Sequence, residues 1–330
     1  MVLALLQFYA SDNGAVVDAL AQQRTCSISR KTLSFSCNNA CVDAFTPCLL
    51  NTTTSSATIS TSTKCAYDCF SEIYVAENEA FVLLIPYGKW KSPQELAATA
   101  TFEPTEYPPV DDAKKYSSVS NDLLEKIDAL GLRSTTTAVY LSGGSYIDNY
   151  FRKGQVANVA LASDLLTNQT QVSTVMLRNL NLQPIASNLS ALFPSSVAEI
   201  AVNNALLTEL PPGFSTFPLL RRLILNHNYI LKVDASMRLA GITELQLLNN
   251  QIESFTALFS NLKVLGLSMN RLTEIPSVVA EHVILDELWI NNNSISEVAK
   301  AHELSYLTLL SLYSNRIQRF EAYFPKLEHL

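Results

Sequence analysis

The chain has 330 residues, 48% of them hydrophobic and 16% charged, with a net charge of −7. A length of this kind supports two or three structural units at roughly 100 to 200 residues each. The acidic balance argues against a nucleic-acid backbone as partner.

At the start, Val2 to Ala10 is a short apolar run with no Lys or Arg ahead of it, and Ala19-Leu20-Ala21 before Gln22 offers small residues for cleavage, with Asp12 and Asp18 in the approach. A secretory signal ordinarily opens on a basic segment. Residues 1–21 are therefore read either as an atypical signal peptide or as the continuation of a start lying upstream. All six cysteines follow closely, at Cys26, Cys37, Cys41, Cys48, Cys65 and Cys69. An even set embedded in Ser, Thr and Asn predicts a three-disulfide module over 22–102, made in an oxidising compartment, with fifteen connectivities open. The CxxxC spacings of Cys37/Cys41 and Cys65/Cys69 raise a metal site instead, but zinc sites usually use a two-residue spacing and recruit His, and the first His is His227. Neither metal nor cofactor is expected. Six unpaired thiols in a cytosolic protein is the remaining alternative.

Ile73-Tyr74-Val75 and Phe81 to Ile85 read as strands packing on this module. The best apolar stretch, Ala80 to Tyr87, falls well short of the roughly 18 to 20 residues that span a bilayer, so no membrane span is expected within the chain. Glu103 to Asp112 carries Pro104, Pro108 and Pro109 among acidic residues. Residues 103–119 are read as a linker. Leu123, Leu124, Ile127 and Leu130 then recur at helical spacing, with Gly131 where a helix would end. That spacing predicts a capping helix over Ser120 to Leu130, within a segment 120–171 of cap and degenerate repeats. Val139 with Leu141, and Val156, Val159 with Leu161, are candidate strands of open register.

From Val172 to Leu330 the pattern LxxLxLxxNxL recurs. Its five full matches are Leu220-Leu223-Leu225-Asn228-Ile230, Ile242-Leu245-Leu247-Asn250-Ile252, Leu262-Leu265-Leu267-Asn270-Leu272, Leu285-Leu288-Ile290-Asn293-Ile295 and Leu307-Leu310-Leu312-Asn315-Ile317. The Asn positions advance by 22, 20, 23 and 22. Two weaker repeats precede them, beginning at Val172 and Val197, with Leu180 and Ala205 in place of the Asn. The expectation is an α/β solenoid whose short strands stack into one parallel sheet, apolar residues inward and intervening residues on a concave face. Asn228, Asn250, Asn270, Asn293 and Asn315 are expected to form a ladder of side chains bonded to backbone groups. The concave columns supply a binding surface for a protein or peptide, with Arg178, Asn203, Asn226, Gln246, Leu248, Trp289, Asn291 and Tyr313 as its candidate residues. Trp289 and Tyr313, on adjacent repeats, are the candidate anchors. Arg221, Arg222 and His227 form a small basic patch read as a solvated face.

No P-loop, GxGxxG, GxSxG or HExxH occurs, and a non-enzymatic module is expected. Sequons stand at Asn51, Asn168, Asn188 and Asn292, a number that chance alone supplies. The repeats identify a leucine-rich-repeat protein. The six-cysteine spacing, the Pro-rich linker and the Thr135 to Leu141 segment before the repeats further resemble ectodomains of oomycete-type receptor-like kinases of the tyrosine-kinase-like group. That resemblance implies a ligand-sensing surface, with a transmembrane helix and a kinase in a longer form. Leu327 and Leu330 match the opening of another repeat, so the solenoid is expected to be cut short and to fray near its end. Two functions stay open: an extracellular or cell-surface recognition module, resting on repeats plus disulfides, and a cytoplasmic signalling scaffold, resting on repeats alone.

Overall fold

The computed structural model describes residues 31–35, 48–51, 67–69, 80–85, 124–143, 153–299 and 304–329. Residues 1–21, four of the six cysteines (Cys26, Cys37, Cys41, Cys65), the Ile73 to Val75 strand and the 103–119 linker lie outside them. By compactness the chain divides into residues 1–169 and 170–330.

Among the described residues of the first unit there are seven short strands: β1 (Lys31–Ser34), β2 (Cys48–Asn51), β3 (Tyr67–Cys69), β4 (Ala80–Ile85), β5 (Leu124–Ile127), β6 (Ala138–Gly143) and β7 (Ala160–Leu161). One sheet runs β3-β2-β1-β5-β7, antiparallel across β3-β2-β1 and parallel across β1-β5-β7. Where a helix is expected over Ser120 to Leu130, the described residues hold strand β5 at Leu124–Ile127 and no helix. Its backbone is claimed from both sides: the Asp128 amide donates to Leu33 O at 2.9 Å, while Ile127 O accepts from the Ala162 amide at 2.8 Å. Those partners outweigh helix propensity, which is worth well under about 1 kcal/mol per residue. Gly131 ends no helix; a Cβ there would lie 3.0 Å from the Phe35 Cβ, so the glycine serves a close approach. The strand expected from Phe81 is present as β4. It pairs in parallel with β6, whose Val139 and Leu141 are buried, and meets the β1 end through the Phe35 and Phe81 rings at 5.9 Å.

In the second unit β8 (Thr174–Arg178), β9 (Glu199–Asn203), β10 (Arg222–Ile224), β12 (Glu244–Gln246), β14 (Val264–Gly266), β15 (Glu287–Trp289) and β17 (Leu309–Ser311) stack in that order, every pair parallel. The register sets Val175, Ile200, Leu223, Leu245, Leu265, Leu288 and Leu310 side by side, and all are buried. A slip of one residue would turn this row to solvent. Each such side chain contributes on the order of 1.5 to 3 kcal/mol on leaving water, and neighbouring coils supply the cover that a single coil lacks.

The return side of each coil carries shorter pieces. β11 (Lys232–Val233) pairs with β13 (Ser254–Phe255), and β16 (Glu297–Val298) with β18 (Arg319–Phe320), all parallel. Among the described residues the helical segments are 3₁₀ turns, at Gln183–Leu192, Pro212–Thr216 and Ser277–Glu281. Aromatic groups lie here, among them Phe193 with Phe214 and Phe217 at 5.8 and 6.1 Å, and Phe255 with Phe259 and His282 near 6.3 Å. They fill the wider side of the coil as leucines fill the strand side.

Candidate functional site

In the five full repeats the strand-to-turn corner is built by the expected asparagines. Asn250 shows the arrangement: its Oδ1 accepts the Ile230 amide at 3.1 Å, and its Nδ2 donates to Leu225 O at 2.9 Å and Leu247 O at 3.0 Å. Asn228, Asn270, Asn293 and Asn315 repeat this pattern, accepting amides from the preceding coil and donating to carbonyls of both coils. In the two weaker repeats Leu180 and Ala205 fill the same position and are fully buried. Asn228 serves the second of these from the next coil, since its Oδ1 accepts the amides of Ala205 and Leu207 at 2.9 and 3.2 Å.

One residue before the ladder stands a column that the pattern does not reveal. Asn179, Asn204, His227, Asn249, Met269, Asn292 and Ser314 all have φ between 50° and 61°. Left-handed backbone suits Asn and His and penalises Met. The column makes its own bonds, the Asn204 Nδ2 donating to Asn179 Oδ1 at 2.9 Å and Asn249 Nδ2 meeting His227 Nδ1 at 3.1 Å. The one hint in the sequence is the frequency of Asn just ahead of the ladder, as in Asn249-Asn250 and Asn292-Asn293.

The outward face of the sheet sorts the eight candidate residues. Asn203 and Asn226 spend their Oδ1 atoms on the amides of Asn226 and Leu248, at 2.9 and 2.8 Å. Asn291 is only 5% exposed, and its Oδ1 accepts the hydroxyls of Ser268 and Ser311 at 2.6 and 3.2 Å. These three side chains therefore bond from coil to coil. Arg178, Gln246 and Leu248 are half-buried. Gln246 lies across Gly266, where an added Cβ would meet its Oε1 at 1.8 Å.

Trp289 and Tyr313 differ, at 37% and 65% exposed. In register, Trp289 stands between Gly266 and Ser311, so neither neighbouring coil offers a large side chain beside the ring. Its Nε1 donates to Glu287 Oε2 at 3.0 Å, tying the ring to a carboxylate that the sequence reading did not select. The same column holds an ion row: Arg222 lies 3.2 Å from Glu199 and 2.9 Å from Glu244. Arg221 turns away and donates to Pro218 O and Leu220 O at 3.1 Å. Arg221, Arg222 and His227 thus do not make one basic patch.

Stacked parallel strands in a repeat of 20 to 23 residues, a leucine row and an asparagine ladder define the architecture. The second unit is a leucine-rich-repeat solenoid. No protein-family model matches the chain. It is 34% identical over 128 residues to the human leucine-rich repeats and immunoglobulin-like domains protein 3, a match covering 37% of this chain and 11% of that protein. Among solved structures it is similar to an internalin of Listeria monocytogenes (18% identity, 61% of this chain and 68% of that one, TM-score 0.38). It is also similar to the leucine-rich repeat domain of APL1B (16% identity, 73% and 80%, TM-score 0.42). The assignment rests on the repeat geometry itself. Among the described residues no His, Cys, Asp and Glu side chains gather as a metal site, and no helix is long and apolar enough to cross a membrane.

Proposed function

We propose that this protein is a non-enzymatic recognition module that binds a protein or peptide on the outward face of the solenoid sheet, with Trp289 and Tyr313 as anchors and Glu287 fixing the indole. The observation that carries the reading is the setting of Trp289: a large ring standing exposed between Gly266 and Ser311. A partner side chain can pack against the exposed part of such a ring, and buried aromatics of this type dominate interface energies. The polar groups around it already have bonds within the solenoid, so contact there leaves few of them unpaired.

The module is proposed to act outside the cell or at its surface. The six cysteines crowded before Tyr74 support this. The resemblance of the cysteine spacing, linker and repeats to receptor-like kinase ectodomains supports a place in a longer receptor. A transcript that continues into a membrane span and a kinase would carry that last point, and one that continues into neither would remove it.

The binding test selects ligands from a displayed peptide library against the purified chain, then compares variants. Trp289→Ala should weaken selected binders by about tenfold or more, the equivalent of about 1.4 kcal/mol, because an anchor is lost. Its melting temperature should stay within a few degrees of the parent, since the ring is outside the core. Binders that hold Trp289→Ala and Tyr313→Ala as tightly as the parent chain would refute the assignment.

A further inference from the structure

We infer that Cys48 and Cys69 are joined by a disulfide across β2 and β3. The proposal rests on the oxidising compartment proposed above, and it comes from the register of the N-terminal sheet. β2 and β3 run antiparallel with Leu50 opposite Tyr67, Leu49 opposite Asp68 and Cys48 opposite Cys69. Directly opposed residues of an antiparallel pair occupy the same face and have Cα atoms roughly 4.5 or 5.5 Å apart, according to whether the pair is hydrogen-bonded. Both distances fall inside the roughly 4.4 to 6.8 Å that a disulfide requires. A shift of one residue would set Cys69 opposite Leu49 and place the two cysteines on opposite faces. The register is therefore what selects this pair.

The position also gives the bond a use. β3 is a three-residue strand and, among the described residues, stands at the edge of its sheet with β2 as its one neighbour. So short an edge strand is held by few backbone bonds, and a cross-link at its last rung fixes it against slippage or fraying. With this pair assigned, the fifteen connectivities of six cysteines fall to the three open to Cys26, Cys37, Cys41 and Cys65. Formation needs an oxidant, which is a dithiol oxidoreductase in its disulfide form or oxidised glutathione. One cysteine thiolate attacks a sulfur of the oxidant and expels the other sulfur as a thiolate. The second cysteine thiolate then attacks the mixed disulfide, forming the Cys48–Cys69 bond and releasing the remaining oxidant sulfur. Two protons and two electrons leave the chain, and the oxidant ends as two thiols.

The full chain, equilibrated in a glutathione redox buffer and alkylated without reduction, is cut with trypsin and an Asp-directed protease. Cleavage at Asp43, Lys64 and Asp68 separates Cys48 and Cys69 from each other and from every other cysteine. Mass spectrometry should find these two fragments linked. Cys48→Ser should expose one new alkylatable thiol, at Cys69, and Cys69→Ser one at Cys48. A Cys48 fragment linked elsewhere, two free thiols in the equilibrated chain, or a Cys69 that stays bonded in Cys48→Ser would overturn the pairing. If the pair forms in this buffer while protein from its own cells carries six free thiols, the pairing stands and the extracellular reading fails.

Discussion

Each ladder asparagine is a small cross-link whose loss leaves several buried groups without partners. Asn250→Ala would orphan the Ile230 amide and weaken the pairing of two carbonyls, at a cost of about 1 to 3 kcal/mol. Urea unfolding should register that loss, and a change of only a few tenths would contradict the role given to the ladder. His282 is a second residue whose chemistry is set by burial. Its Nδ1 donates to Val278 O at 2.8 Å while Nε2 accepts the Phe259 amide at 3.3 Å, a pairing open only to the neutral ring. Desolvation pushes its pKa below the ordinary 6.5, against the opposing backbone bonds and the Glu281 charge. With the folded value depressed, the unfolded chain binds the proton first as pH falls. The contribution of His282 is therefore complete above about pH 6.5 and drains away as pH drops toward the lowered value. Melting temperatures at about pH 7.5 and pH 5.5 should differ more in the parent than in His282→Gln. Equal differences would mean that this ring does not carry the dependence.

At the level of the element, the short strands owe their form to pairing more than to propensity. β5 makes the point. Its Leu123, Leu124, Ile127 and Leu130 have the period of a helix, yet β1 and β7 take up its backbone and the segment extends. A periodicity read over ten residues cannot register partners that lie far along the chain. The glycines of the strand side follow the same logic of neighbours. A Cβ on Gly241 would come within 2.9 Å of the Leu220 carbonyl as well as the Arg221 guanidinium, whereas one on Gly266 meets only the movable end of Gln246. Gly241→Ala should therefore destabilise by about 1 to 3 kcal/mol, as overpacking does, and Gly266→Ala by clearly less. Calorimetry on the two variants tests the order, and a reversal would show that Gln246 is pinned.

For the whole molecule, stability in the solenoid is shared between neighbouring coils, so it should vary along the stack. β12 and β14 are bonded on both sides by three-rung ladders, while on the outer side of β17 the described residues form a single bridge, from Leu309 to His329, with the Leu310 amide donating to His329 O. The Leu310 amide should exchange with solvent faster than those of Leu225 and Leu247, as hydrogen exchange can show. Equal protection would mean that the coils unfold as one block.

The solenoid was legible because its information is local and repeated. Five matches to one pattern fix which leucines turn inward, and a small polar side chain at a fixed offset announces a corner whose backbone needs partners. Where an asparagine pointed was another matter. Asn203, Asn226 and Asn291 occupy positions that the pattern assigns to the surface, yet the adjacent coil brings amides and hydroxyls within reach, and their side chains turn to these. Trp289 occupies an equivalent column and stays exposed because the adjacent coils bring it a glycine and a serine. Side-by-side register, a property of the stacked chain and not of any one repeat, decided which residues of that face bond within the fold and which stay exposed.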